Sequence, residues 1–164
     1  PTQVLGSFAG AIGWPQFMPS SIRRHGVDFD GDGHIDLINS PTDAIGSVAN
    51  FLAAHGWQAQ WPTHFQVQPP GRGPQLDALL APDIRPTFTA NQMQELGAQL
   101  PASAMNHPGP LAMVLLHNAG KAPTIIAGTR NFYAITRYNQ SSYYALAVIE
   151  LGEAISRAAA RGNP

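Results

Sequence analysis

Asp28-Phe29-Asp30-Gly31-Asp32-Gly33-His34-Ile35-Asp36 is the most informative run in this 164-residue chain. Carboxylates in strict alternation, with glycine at the sixth place, match the opening of an EF-hand loop. A hard cation such as calcium takes about six to eight oxygens, and alternate acids in a tight loop converge on one point. Asp28, Asp30 and Asp32 fall at places 1, 3 and 5. The His34 carbonyl serves place 7, and apolar Ile35 follows it. Place 12 is Asn39, which cannot supply a bidentate carboxylate, and the next acid after Asp36 is Asp43 at place 16. Closure by Asp43 therefore requires an extended loop over residues 28–43. The competing reading is a solvated loop of Asx turns in which Asp43 only caps the following helix. Capping and ligation are compatible.

On either side of the loop the pattern is helical. Pro19 suits a first helical turn and Gly26 a stop. Ser40, Pro41 and Asp43 make a capping-box start, after which Ile45, Val48, Ala49 and Leu52 recur at helical spacing until Gly56. Residues 58–130 carry ten prolines between short apolar segments. Strands are expected at His64–Val67, Ala112–Leu116 and Thr124–Ile126, with a short helix at Ala90–Leu100. Prolines at this density confine strands to edges and short pieces. Asn131–Tyr138 reads as extended or loop-like. A last helix is expected over Ser142–Ala160, capped by Ser141, with Tyr144, Val148, Leu151 and Ile155 on one face.

Composition excludes several classes. Nine Lys and Arg against ten Asp and Glu leave a net charge of −1, and 44% of residues are apolar. Global disorder does not fit that balance. Nor does a nucleic-acid binder held by phosphate neutralisation, since no basic stripe exists. No cysteine is present, so thiolate chemistry and disulfides are out. No run approaches the ~20 apolar residues of a membrane span. The six histidines lack metal-ligand spacing, and no nucleophile elbow or phosphate loop occurs. The chain opens at Pro1 without a signal-peptide layout, so a piece of a longer protein is expected.

Two polar and aromatic clusters remain, Ser7–Ser20 and Phe132–Asn139. Aromatic faces beside amides and hydroxyls suit a sugar, although such clusters are also common in cores. The first, Gly6-Ser7-Phe8-Ala9-Gly10-Ala11-Ile12-Gly13-Trp14-Pro15-Gln16-Phe17-Met18-Pro19-Ser20-Ser21, closely resembles the signature of the B-type lytic murein transglycosylases. The likeness continues through Val27–Ile35, Asp43–Asn50, His55-Gly56-Trp57 and Asn131–Asn139.

The resemblance implies an α+β fold. A mainly helical lysozyme-like core would carry one EF-hand-like calcium loop and a small inserted β-rich lobe. Residues 1–57 would hold part of the core with the loop, 58–130 the irregular lobe, and 131–164 the return to the core. It implies cleavage of the MurNAc-β-1,4-GlcNAc bond of peptidoglycan with formation of a 1,6-anhydromuramyl end, in the periplasm, with a lipid anchor outside this chain. By position, Ser7, Gln16, Tyr138, Asn139 and Tyr144 match residues that bind the glycan. Asp28, Asp30, Asp32, the His34 carbonyl and Asp43 match the ligands of a structural calcium. No organic cofactor is implied.

The family reaction depends on one glutamate acting as general acid and then base, unlike the two-carboxylate plan of most glycosidases. That glutamate precedes the glycine-rich signature, and none of the six residues before Ser7 is acidic. Glu95, Glu150 and Glu153 do not match its context. The expectation is a chain that lacks the general acid and is inactive alone, partnered by the N-terminal part of the same enzyme. The alternatives are a non-catalytic, calcium-stabilised module that binds cell-wall glycan and, less well supported by a single loop, a dockerin-like interaction module.

Overall fold

A computed structural model describes residues 6–162. The chain packs as two compact units, Pro1–Trp57 and Gln58–Pro164.

In the first unit, the glycine-rich segment doubles back on itself through bridges pairing Ile12 with Gly6 and with Phe17. Helix α1 (Pro19–His25) starts on a proline whose fixed φ suits the first turn. The acidic loop leads into α2 (Pro41–Ala54), where Ser40 Oγ accepts from the Asp43 amide at 3.2 Å. Phe17, Leu37, Ala44 and Phe51 form the small buried core. Helix α2 keeps its expected period but turns a different face inward. Asp43, Ala44, Ser47 and Phe51 are buried, whereas Ile45 is 68% exposed. Two polar contacts set this phase, because the Val27 amide donates to Ser47 Oγ and the loop amides converge on Asp43. Phe51 also stacks on His55 at 4.1 Å and meets His25 edge-on at 4.9 Å, joining the ends of α1 and α2.

In the second unit, β1 (His64–Gln66), β2 (Ala112–Asn118) and β3 (Lys121–Gly128) form an antiparallel sheet of order β1-β3-β2. Each expected strand is present, and β3 extends through Pro123 into the hairpin. Pro123 is tolerated in this central strand because β1 pairs only with residues 126–128, which leaves the proline end with one neighbour. Short helices α3 (Pro74–Leu80), α4 (Ala90–Glu95) and α5 (Ala102–Met105) cover the sheet's core of Phe65, Leu79, Met93, Leu111, Met113 and Ala127. Helix α4 is shorter than its pattern suggested, since Gly97 at φ 88° turns the chain out of the helix.

The segment Asn131–Tyr138 is helical, not extended. Helix α6 (Arg130–Tyr138) is capped by Thr129 Oγ1, which accepts from the Asn131 amide. Its β-branched and aromatic residues mimic a strand in sequence, and a buried amide overrides that preference. Asn131 is fully buried. Its Oδ1 accepts from Gln58 N at 2.7 Å, and its Nδ2 donates to Gln58 O and Trp61 O at 2.8 and 2.9 Å. Helix α7 (Ser142–Arg161) follows, capped by Ser141 Oγ. It buries Ala145 and Ile149, while Leu151 and Ile155 on the anticipated apolar face are about 60% exposed. Among the described residues, no helix is long and apolar enough to cross a membrane.

Candidate functional site

In the first unit the acidic loop closes on itself through its own amides. Asp28 Oδ1 accepts from Gly31 N at 2.7 Å, and its Oδ2 accepts from Gly33 N at 2.8 Å. Gly31 and Gly33 hold φ of 76° and 93°, which glycine adopts without steric cost. Asp32 Oδ1 accepts from the His34 amide, and Asp30 Oδ2 accepts from Ser40 Oγ at 2.9 Å. Asp43, on the first turn of α2, receives Phe29 N on Oδ1 and Asp36 N on Oδ2, both at 2.8 Å. Amides of Asp36 and Phe29 hold its carboxyl below the usual carboxylate range.

These contacts gather oxygens of Asp28, Asp30 and Asp43 within 4.8 Å of one another. Asp32 and His34 lie in the same loop, exposed, and Asp32 is not in that gathered set. Like charges this close repel unless a cation joins them. Among the described residues no Lys or Arg does so, because the ion pair present joins Arg157 to Glu153. An all-oxygen set of this kind fits a hard divalent cation.

Asp36 is the residue that spacing alone did not single out. It accepts from Asn39 Nδ2, Asn39 N and Ile38 N at 2.9 Å while its own amide reaches Asp43. The Asn39 side-chain and backbone N–H groups, with the Ile38 amide, lower its pKa. An Asx turn, legible from Asp36 and Asn39 three residues apart, was the available signal.

The glycine-rich segment is tied to the far end of this loop. Trp14 N donates to Leu37 O at 2.8 Å and Trp14 Nε1 to Ile38 O at 2.7 Å. A Cβ on Gly13 would stand 2.3 Å from Leu37 O, so only glycine permits that approach. Ser7 and Gln16 project from the exposed side of the same segment. Ser7 Oγ accepts from Ala11 N at 3.1 Å, and Gln16 Nε2 donates to Gly13 O at 3.0 Å. Gln16 holds φ 49°, an uncommon conformation for a residue with a side chain. Such strain is often kept where it aims a functional group.

In the second unit, Tyr138, Asn139 and Tyr144 lie along the passage from α6 into α7. Tyr138 ends α6 and Asn139 is its C-cap. Tyr144 lies on the first turn of α7, its amide donating to Ser141 Oγ at 3.2 Å. Burial, with the nearby Tyr144 hydroxyl, pushes the Tyr138 phenol up to about 12. Tyr138 is therefore a neutral hydroxyl at any ordinary pH and can donate a hydrogen bond. Tyr143, not anticipated from the sequence, anchors the junction to β2. Its hydroxyl accepts from His117 N at 2.8 Å and donates to His117 O at 3.0 Å.

The three glutamates are placed otherwise. Glu95, Glu150 and Glu153 are all exposed on helix surfaces, and Glu153 pairs with Arg157 at 3.4 Å. None is enclosed by apolar side chains.

Similar proteins give these sites a context. The family described as the transglycosylase SLT domain matches residues 1–153. Membrane-bound lytic murein transglycosylase B of Escherichia coli (strain K12) is 41% identical over 158 residues, covering 96% of this chain and 41% of that protein. The structure of catenated lytic transglycosylase SltB1 from Pseudomonas aeruginosa superposes with a TM-score of 0.82 at 37% identity, covering 94% of this chain and 50% of that one. Escherichia coli lytic transglycosylase Slt35 in complex with calcium superposes with a TM-score of 0.75 at 40% identity, covering 93% and 46%. The chain thus spans half or less of the length of these relatives. Its helices and small sheet have the fold of lysozyme-like lytic transglycosylases. The match over 153 of 164 residues settles the family: this chain belongs to the transglycosylase SLT domain family.

Proposed function

We propose that this chain forms the glycan-binding and calcium-bearing part of a lytic murein transglycosylase that cleaves the MurNAc-β-1,4-GlcNAc bond of peptidoglycan and leaves a 1,6-anhydromuramyl end. The family match over residues 1–153 is the observation that carries this reading. Ser7 and Gln16 in the first unit, and Tyr138, Asn139 and Tyr144 in the second, each contact the glycan strand. The neutral Tyr138 hydroxyl and the Asn139 amide supply the donors that sugar hydroxyl and acetamido groups require.

Asp28, Asp30, Asp32, the His34 carbonyl and Asp43 hold a structural calcium in an EF-hand-like loop, 28–43. The gathered carboxylates, which no Lys or Arg among the described residues pairs with, and the calcium complex of Slt35 support this assignment. Calcium there neutralises the loop's charge and fixes it to α2; it takes no part in bond cleavage. Residues 1–57 and 131–164 belong to the core of the enzyme and 58–130 to its lobe.

The general acid is a glutamate outside these 164 residues, since the three glutamates present are exposed on helix surfaces. That placement also favours a second reading for the chain on its own, a calcium-stabilised module that binds cell-wall glycan without cutting it. The protein acts in the periplasm, where its substrate lies. Incubation of the 164-residue chain with purified sacculi tests the assignment. No anhydromuropeptides are expected by mass spectrometry, and release above a blank would overturn the placing of the glutamate. Sedimentation with sacculi is expected, and its absence would overturn the glycan-binding role.

A further inference from the structure

Arg137 lies in the last turn of α6, directly before Tyr138 and Asn139. Its guanidinium is fixed from several sides. The guanidinium carbon stands 4.4 Å from the centroid of the Tyr133 ring, one turn earlier. Nη2 donates to Thr136 Oγ1 at 3.2 Å, and that hydroxyl donates in turn to Tyr133 O at 2.7 Å. Nε is sealed from solvent without a hydrogen-bond partner. No carboxylate answers the charge, because the ion pair among the described residues is Arg157 with Glu153.

A guanidinium stays charged at any ordinary pH and offers its donors in a planar fork. Partly withdrawn from water and stacked on an aromatic ring, a cation without a counter-ion attracts an anion. With Nε sealed and one Nη2 hydrogen taken by Thr136, the open donors lie at the Nη1–Nη2 end. That end can give two parallel N–H bonds to the two oxygens of one carboxylate. Tyr133 and Thr136 already fix its direction, so little side-chain freedom remains to be lost on binding.

We propose that Arg137 binds a carboxylate of the peptide carried by a muramyl residue while Tyr138 and Asn139 hold the adjoining sugar. This rests on the glycan-binding reading of those two residues. A neutral GlcNAc oligomer has no group for the fork, whereas a peptide-substituted strand does; a muramyl residue stripped of its peptide offers only its short lactyl carboxylate. Arg137 is therefore a specificity residue, one that favours strands bearing a free carboxylate over neutral glycan.

Titration of the calcium-supplemented chain, followed by 15N NMR, tests this. Three ligands are compared: muramyl dipeptide, with its one free carboxylate; the same compound as its carboxamide; and neutral tri-N-acetylchitotriose. The acid is expected to bind about tenfold more tightly than the carboxamide, as suits a charge-assisted bidentate contact. The Arg137 Nε–H resonance should move with the acid only. Arg137→Gln should erase the preference while leaving chitotriose affinity within about twofold, a change too small to involve a charged contact. Arg137→Lys, which keeps the charge and loses the fork, should retain part of it.

Equal binding of acid and carboxamide, or a preference that survives Arg137→Gln, overturns the proposal. Failure of chitotriose to bind, with the Arg137-dependent preference intact, overturns the glycan reading alone. No binding of any ligand overturns both. Should a variant fail to fold, the acid-against-carboxamide comparison and the Nε–H shift on the unaltered chain still decide.

Discussion

Asp36 N donates to Asp43 Oδ2 at 2.8 Å, so a residue in the acidic loop clasps the first turn of α2 seven positions later. Phe29 N grips the other oxygen of the same carboxylate. Asp43 is thereby a buried joint between loop and helix.

Calcium should raise the melting temperature of the chain, and a chelator should reverse the change. At a hundredfold excess over Kd, binding to the folded state adds about 2.7 kcal/mol. For a chain of this size that is a rise of roughly 5–10 °C. Asp43→Asn should remove most of the calcium-dependent part in differential scanning calorimetry. An undiminished shift in the variant would remove Asp43 from the ligand set.

Phe29 lies across α2 at Gly46, where an added Cβ would stand 2.4 Å from the ring. Gly46→Ala must push the loop off the helix and should cost about 1–3 kcal/mol, the usual range for overpacking. The Phe29 Cβ would itself stand 2.5 Å from the added methyl, so only removal of the whole side chain relieves the clash, and Phe29→Gly combined with Gly46→Ala should cost less than the sum of the two. Additive losses in urea unfolding would contradict this contact.

Asn131 spends its side-chain amide on Gln58 and Trp61, about seventy residues back in the chain. Asn131→Leu would remove three hydrogen bonds that reach Gln58 and Trp61, and a loss of about 3 kcal/mol is expected at about 1 kcal/mol each. The check is chemical denaturation followed by far-UV circular dichroism. A loss under about 1 kcal/mol, the net worth of an ordinary hydrogen bond, would show the network to be dispensable.

Tyr138 should ionise late. Its folded-state pKa of about 12 lies above the model-peptide value of 10.0. The contribution is whole below pH 10, where the phenol is neutral in both states. It is lost as pH rises towards 12, because the unfolded chain gives up that proton first. An ultraviolet difference titration of the chain against Tyr138→Phe should show the missing phenolate signal only above about pH 11, a unit beyond ordinary tyrosine. Signal appearing near pH 10 would count against the burial.

The loop was legible because its determinants are local. Asp28, Asp30, Asp32, Gly33 and the Ser40 cap all act within a few residues, and alternation and capping are patterns of adjacent positions. Helix α6 was not, since the aromatic and β-branched residues of Phe132–Thr136 are equally at home in a strand. What made it a helix is Asn131 finding Gln58 and Trp61. Tyr143 and Arg137 were missed for the same reason: their roles depend on His117 and on the sealed environment at Tyr133.

By itself the sequence determined the acidic loop, the starts of α1, α2, α4 and α7, the three strands and a family likeness, all carried by spacing along the chain. Tertiary structure decided which face each helix buries, because burial depends on partners distant in sequence. Ser47 rather than Ile45 points inward because the Val27 amide waits there. The packing of α6 likewise left the Arg137 fork without an acid, a fact that no reading of neighbouring letters contains.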